Sequence, residues 1–240
     1  MCYKVSVTSS RDVLETRFLA HFSEEEDLFQ PFFHANGFAN PGLPVITMQA
    51  PANIQVFEWG LIPHFAKTPE DAKKLRMGNL NAMSETLFEK ATWRTLVMSK
   101  RCLVLADGFY ESMDLGGAKY PHYIFRADKQ PFAFAGLYSS WKNQEGKWIN
   151  SFSIVTTVPN ELMARIHNVK KRMPVILPPD KERNWLKPDL LKEEIHDLTV
   201  PLEDGILKAY PVNKLINQNK TPTNESWIQE VCEYPELALA

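Results

Sequence analysis

Long apolar runs are missing from this chain of 240 residues. Its longest stretch without a formal charge, Leu28 to Phe57, is broken by Pro31, Asn36, Gly37, Pro41, Gly42, Pro44 and Pro51, which excludes a membrane-spanning helix there. The opening residues, Met1 to Ala20, carry polar or charged side chains every few positions and no small-residue cleavage pattern, so no signal peptide is expected. Cysteine is scarce: Cys2, Cys102 and Cys232 form an odd set with no CxxC pair, which argues against a disulfide framework and a cysteine-rich zinc site. No metal or other cofactor is expected, and a reducing cytoplasmic location fits. An excess of one charge is lacking too. The 27 Lys and Arg against 29 Asp and Glu give a net charge of -2, which rules out a uniformly basic nucleic-acid binder but leaves room for a local basic patch.

What is present is an ordinary globular composition, 44% hydrophobic and 23% charged, which excludes wholesale disorder, collagen and coiled coil. With no repeat, low-complexity tract or linker, one domain over 1–240 is expected, as a monomer. Short β-prone runs recur at Tyr3 to Val7, Val45 to Met48, Ile54 to Phe57, Cys102 to Ala106, His122 to Arg126, Phe132 to Leu137, Phe152 to Thr157, Pro174 to Leu177 and Leu207 to Val212. Helical patterning is confined to Arg11 to Phe22, Pro69 to Arg76, a turn near Ser84 to Glu89, Asn160 to Ile166, Asp180 to Leu186 and Pro188 to Asp197. Strand and helix do not alternate strictly, so the expected class is α+β: a folded or barrel-like, mainly antiparallel sheet with short peripheral helices. From Asp180 onward there are twelve acidic and seven basic residues, whereas 64–101 holds eight basic and four acidic, which places any basic patch in the latter segment.

Cys2 stands apart from the other cysteines. Removal of Met1, usual before so small a residue, would make Cys2 a 1,2-aminothiol whose amine titrates at about 7.7 to 8.0 and whose thiol titrates near 8.5. An aldehyde would condense with the amine to an imine, and the thiolate could then close a five-membered thiazolidine. Taken singly, other polar residues have plain structural readings: His167 as a helix cap or core residue, Glu111 as a strand-end carboxylate, Asn81 as a turn former.

Five segments in one order alter that reading: Met1-Cys2, Trp59-Gly60-Leu61-Ile62-Pro63, Asn81-Ala82-Met83-Ser84-Glu85-Thr86, Arg101 through Glu111, and Ala164-Arg165-Ile166-His167-Asn168 followed by Arg172-Met173-Pro174-Val175-Ile176-Leu177. Together they resemble the SRAP (SOS-response-associated peptidase) family over Cys2 to about Lys214. That resemblance implies a DNA-protein crosslinking activity that traps abasic sites in single-stranded DNA. Cys2 matches the crosslinking nucleophile, Asn81 the active-site asparagine, Glu111 the acidic residue and His167 the histidine. On this reading His167 opens the closed sugar, Glu111 assists the later proton transfers, and Asn81 holds the amine or a sugar hydroxyl.

For the DNA strand, phosphate contacts are expected from Lys4, Lys67, Lys74, Arg165 and Arg172, with Lys73, Arg76, Lys170 and Lys171 nearby, and base stacking or bending from Trp59, Pro63 and Phe65. Trp59 also reads as core. Where the family usually has Gly-Arg after the cysteine, this chain has Tyr3-Lys4; where it has an arginine in the asparagine motif, this chain has Met83; and Ser112 stands where an aromatic commonly follows the glutamate. The crosslinking chemistry is therefore expected to be better preserved than the DNA affinity. Two other classes stay open: a cysteine peptidase using Cys2 and His167, with autoproteolytic processing of its own amino terminus, and a noncatalytic single-strand-binding module.

Overall fold

The computed structural model describes residues 2–23, 29–218 and 223–239. The expected β-prone runs form strands or lie largely within them, except Pro174 to Leu177, which is split at Val175 between two two-residue strands. The strands are β1 (Lys4–Val7), β2 (His21–Phe22), β3 (Phe32–Asn36), β4 (Gly42–Thr47), β5 (Ala50–Trp59), β6 (Asn81–Met83), β7 (Arg101–Ala106), β8 (Gly108–Leu115), β9 (Ala118–Arg126), β10 (Phe132–Lys142), β11 (Trp148–Thr157), β12 (Met173–Pro174), β13 (Ile176–Leu177) and β14 (Leu207–Pro211). The helices are short: α1 (Arg11–Phe18), α2 (Pro69–Gly78), α3 (Leu96–Ser99), α4 (Glu161–Ile166), α5 (Pro179–Trp185) and α6 (Lys192–Asp197). The class is α+β, as the patterning predicts.

Two sheets form. One has five strands in the order β14-β9-β8-β1-β3 and is antiparallel throughout. In the other, β11, β10, β7, β4 and β5 pair in succession, and a short parallel pairing of Ser151 and Phe152 in β11 with Glu58 and Trp59 in β5 closes the ring. β2, β6, β12 and β13 attach to its strands. β7 is buried at every position, because one face lines the barrel and the other lies under α3 and α5. Its Arg101 is fully buried, and its guanidinium donates to backbone carbonyls: Nε to Trp185 O at 2.8 Å, and the terminal nitrogens to Val97 O at 2.6 Å, Met98 O at 3.1 Å and Lys187 O. One guanidinium thus satisfies the last carbonyls of two short helices and pins both to the barrel. It is therefore no part of a basic surface, although it adds to the charge of 64–101.

Two helical expectations shift. The helix expected over Arg11 to Phe22 stops at Phe18, where Leu19 takes a left-handed φ of 50° and the chain turns so that His21–Phe22 can pair with β5. The helix expected from Pro188 starts instead at Lys192, with the Glu194 carboxylate accepting from Leu191 N at 2.7 Å, and Pro188 lies outside it. Beyond β14, Val212, Ile216, Trp227 and Ile228 pack on Tyr110 and Tyr123, covering one face of the five-stranded sheet. There Asn224 Oδ1 accepts from Phe33 N and His34 N at 2.8 and 3.2 Å and so caps the edge of β3.

Arg101→Ala should leave several buried carbonyls unpaired and a cavity beneath Trp185. We expect a loss of at least about 3 kcal/mol in denaturant-measured stability, with Arg101→Lys recovering only part of it. A loss below about 1 kcal/mol would contradict this pinning role.

Candidate functional site

The site forms where the two sheets meet, at the head of β1. Asn81 opens β6, which runs parallel to β11 in the register Asn81 to Ile154. Its Nδ2 donates to Cys2 O at 2.8 Å, joining the barrel to the start of the five-stranded sheet. Asn81 Oδ1 is buried and has no hydrogen-bond partner among the described residues, so an acceptor remains beside Cys2. Cys2 itself is fully buried, with its Sγ 3.8 Å from Lys4 O. Burial, and after it the charge of Glu111, pushes the Cys2 thiol well above the usual thiol range and holds it protonated at rest.

Glu111 lies on β8 with its side chain on the same face as core residue Phe109. Burial pushes its carboxyl up to about 7. His167 follows α4, whose first turn is capped by Asn160 Oδ1 accepting from Met163 N at 3.0 Å. His167 Nδ1 lies 2.8 Å from Arg172 O. Since a carbonyl can only accept, the proton sits on Nδ1 and the lone pair on Nε2, which is 3.7 Å from Glu111 Oε2. Such a separation would suit an ion pair, but burial lowers the imidazole to about 4 and raises the acid to about 7, so at neutral pH the contact joins a neutral imidazole to a carboxyl that still holds much of its proton.

The loop after α4 is fixed from two sides. Asn168 clamps β8 with both ends of its amide, accepting from Asp114 N at 3.0 Å and donating to Asp114 O at 2.7 Å. Arg172 donates to the Glu85 carboxylate, and to Thr156 O at 2.7 Å and Thr156 Oγ1 at 3.1 Å. The first clamp sets His167 over the strand that carries Glu111; the second sets the carbonyl that fixes the His167 tautomer. Across the strand pair Glu111 faces His122, which is buried, places Nδ1 2.9 Å from Tyr120 O and is held below the usual histidine range by burial.

The SOS response associated peptidase (SRAP) family model matches residues 1–219. This chain belongs to the SRAP family. Its relatives include the abasic site processing protein YoqW of Bacillus subtilis (strain 168), 36% identical over 219 residues that cover 85% of this chain and 95% of that one. Another is the abasic site processing protein YoaM of the same organism, 34% identical over 227 residues, covering 94% of this chain and 96% of that one. A crystal structure of a protein from Bacteroides thetaiotaomicron superposes with a TM-score of 0.91 at 34% identity, covering 97% of this chain and 100% of that one.

In this SRAP chain, Cys2, Asn81, Glu111 and His167 come from well-separated parts of the sequence and meet in the fold, while the residues expected to hold a DNA strand divide into two groups. Phe65 is 43% exposed, and Lys67, Lys74 and Arg165 are exposed. Trp59 and Pro63 are buried, which removes them as surfaces for base stacking. Trp59 donates from Nε1 to Leu80 O at 2.9 Å and stacks on Phe152, with ring centroids 6.2 Å apart. Lys4 places its ammonium on Ile216 O at 2.8 Å and Asn217 Oδ1 at 2.5 Å, and Arg172 is held by Glu85 and Thr156, so both expected phosphate contacts act inside the protein instead. Met1, whose removal the sequence predicts, lies outside the described residues. The Asn168 clamp and His122 had no distinguishing sequence signal, since both depend on what lies across a strand.

Among the described residues no helix is long and apolar enough to cross a membrane, and no group of three or more His, Cys, Asp or Glu is placed to hold a metal ion.

The two shifted groups give opposite pH dependences. Glu111 binds its proton more tightly when folded, so its contribution to stability is complete below the ordinary value near 4.5 and is lost as pH rises through about 7. His167 binds its proton less tightly when folded, so its cost appears as pH falls from 6.5 through about 4. Glu111→Gln should therefore be more stable than the parent at pH 8, by on the order of 3 kcal/mol at most, and nearly equal to it at pH 5. Urea unfolding at the two pH values measures this; an equal difference at both would contradict a buried carboxyl with a raised pKa.

Proposed function

We infer that this protein processes abasic sites in DNA, and that it does so by capturing the site covalently in single-stranded DNA through Cys2 once Met1 has been removed. The observation that carries this reading is the placement of the Cys2 backbone on Asn81 within the same buried seam as Glu111 and His167. Its relatives' names, abasic site processing proteins, agree with it.

The chemistry follows from the protonation states. A closed abasic deoxyribose must open before it offers an aldehyde. A neutral His167 can take the proton of the C1′ hydroxyl at Nε2, while Glu111, which titrates near 7 and so holds its proton in part at neutral pH, can protonate the departing ring oxygen. The Cys2 amine then adds to the aldehyde carbon, and the carbinolamine loses its hydroxyl as water with a proton from the acid, forming an imine. Cys2 Sγ adds to the imine carbon, its proton passing to nitrogen, and a thiazolidine results. One C–N and one C–S bond form, one water leaves, and no electrons are exchanged with an outside partner. Because the thiol rests protonated, the amine attacks first and the sulfur closes the ring afterwards. The buried Asn81 Oδ1, unpartnered among the described residues, supports a role for Asn81 in accepting a hydrogen bond from the amine during these steps. A cysteine peptidase would instead call for a thiolate paired with imidazole, whereas the His167 ring faces Glu111 and the Cys2 thiol is held neutral.

Incubation of Met1-free protein with a single strand carrying one aldehydic abasic site should give an adduct that survives denaturation, with none from Cys2→Ala. No adduct from the parent protein would remove the capture reading. At saturating DNA, His167→Ala and Glu111→Ala should each slow single-turnover adduct formation by about 100-fold or more. Phosphate binding is assigned to the exposed cations. Lys74→Ala, and Lys67→Ala in parallel, should weaken capture at subsaturating DNA, with lower salt restoring much of the loss; a salt-independent loss would contradict a phosphate contact.

A further inference from the structure

The turn after β3 holds an exposed aromatic ring against Tyr3, the residue that follows Cys2. Phe38 is 48% exposed, yet its backbone is fixed: Asn36 Oδ1 accepts from Phe38 N at 3.1 Å, Gly37 N donates to Tyr3 O at 2.8 Å, and Asn40 Nδ2 donates to Gly37 O at 3.3 Å and Trp59 O at 2.7 Å. Glycine at 37 is what allows this close approach, since a Cβ there would lie 3.1 Å from the Trp59 indole. The Phe38 ring rests against Tyr3, the residue after Cys2, with centroids 4.9 Å apart and planes at 37°. Tyr3 is partly buried and packs against the core that includes Cys2, and burial, with the charge of Glu111 after it, raises its phenol. An apolar ring held out to solvent by this many hydrogen bonds contributes little to the core.

Asn40, whose amide braces this turn, also lines a cavity of about 490 Å³ together with Lys73, Arg76 and Glu145. Arg76 donates to Glu58 Oε2 at 2.7 Å, and its Nε is buried without a hydrogen-bond partner among the described residues. We propose that the Tyr3–Phe38 ledge and the Asn40, Lys73 and Arg76 cavity form a nucleotide subsite: the base next to the abasic sugar stacks on Phe38, and the adjoining phosphate is met by Lys73 and Arg76. The occupant is a nucleotide of single-stranded DNA, because the base must leave its own stack to reach the ring. The assignment rests on the capture reading for its occupant and differs from it in what it requires of the DNA.

Noncovalent binding separates the two. Fluorescence anisotropy with the full protein would use single strands carrying tetrahydrofuran, a closed abasic analogue with no aldehyde. One probe has adenines flanking it; the other replaces the flanking nucleotides with further tetrahydrofurans, keeping the phosphates and removing the bases. Phe38→Ala should weaken binding to the adenine-flanked probe by about 5-fold to 100-fold, the range of stacking on one base, and leave the base-free probe unchanged, while Phe38→Trp retains the preference. Lys73→Ala should weaken both probes alike and reduce the salt dependence. Equal affinities of the parent and Phe38→Ala on both probes, an equal loss on both, or no binding of the parent to either would overturn the subsite. Absence of a covalent adduct on aldehydic DNA would overturn the capture chemistry alone, since these probes form none.

Discussion

A β-strand has two edges whose backbone groups must be hydrogen-bonded when buried, and β11 (Trp148–Thr157) has partners on both from Ser151 to Thr156. One edge pairs with β10 and then β12; the other pairs with β5 and then β6. The β5 pairing closes the barrel, and the β6 pairing places Asn81 where it can reach Cys2 O. The chain between β5 and β6, α2 included, must leave the sheet and return to the same edge. Gly60, with a φ of +107°, begins that exit, and a Cβ there would lie 2.7 Å from the Asn40 amide. The position of the site is thus a consequence of how one strand satisfies its backbone.

Burial then sets the chemistry. The seam between the sheets has little solvent, and the same desolvation moves three groups toward their neutral forms: the Cys2 thiol and Glu111 carboxyl upward, the His167 imidazole downward. Each shift alone would be a cost to the fold. Together they give an acid that keeps a proton at neutral pH beside a base that lacks one, the pairing that opening a hemiacetal requires. The clamps from Asn168 and Arg172 hold this pair without adding a formal charge to it, because one acts through an amide and the other presents a backbone carbonyl.

Basic residues in this chain serve two purposes that sequence position does not separate. Arg101 binds helix-end carbonyls, Arg172 the exposed Glu85 carboxylate and a strand carbonyl, and Lys4 the segment at Ile216 and Asn217. Burial brings the Lys4 ammonium down to about 8, in keeping with this inward placement. Lys67, Lys73, Lys74 and Arg165 stay at the surface and form the reserve from which a phosphate backbone can draw counter-charge.

The strand runs and the α+β class were legible in the sequence because apolar periodicity is a local property; Cys2, Asn81, Glu111 and His167 could be singled out together because they sit in segments that recur in family order, and the fold brings them together. β3 and β8 were not read as strands: Phe32 to Asn36 is short and lies in a proline-rich stretch, and Gly108 to Leu115 carries Glu111, Ser112 and Asp114, so neither shows a clean alternation. Side-chain direction also lay beyond the sequence. Trp59 and Phe65 read alike as aromatics on a recognition motif, yet one fills the core under Gly37 and the other faces solvent, because the turn at Gly60 reverses the chain between them. What the sequence by itself determined was which residues are chemically able to act. Only the tertiary structure decided their protonation states, which of the cations remain available, and that an exposed ring at Phe38 packs against Tyr3, since each depends on contacts between segments far apart in the chain.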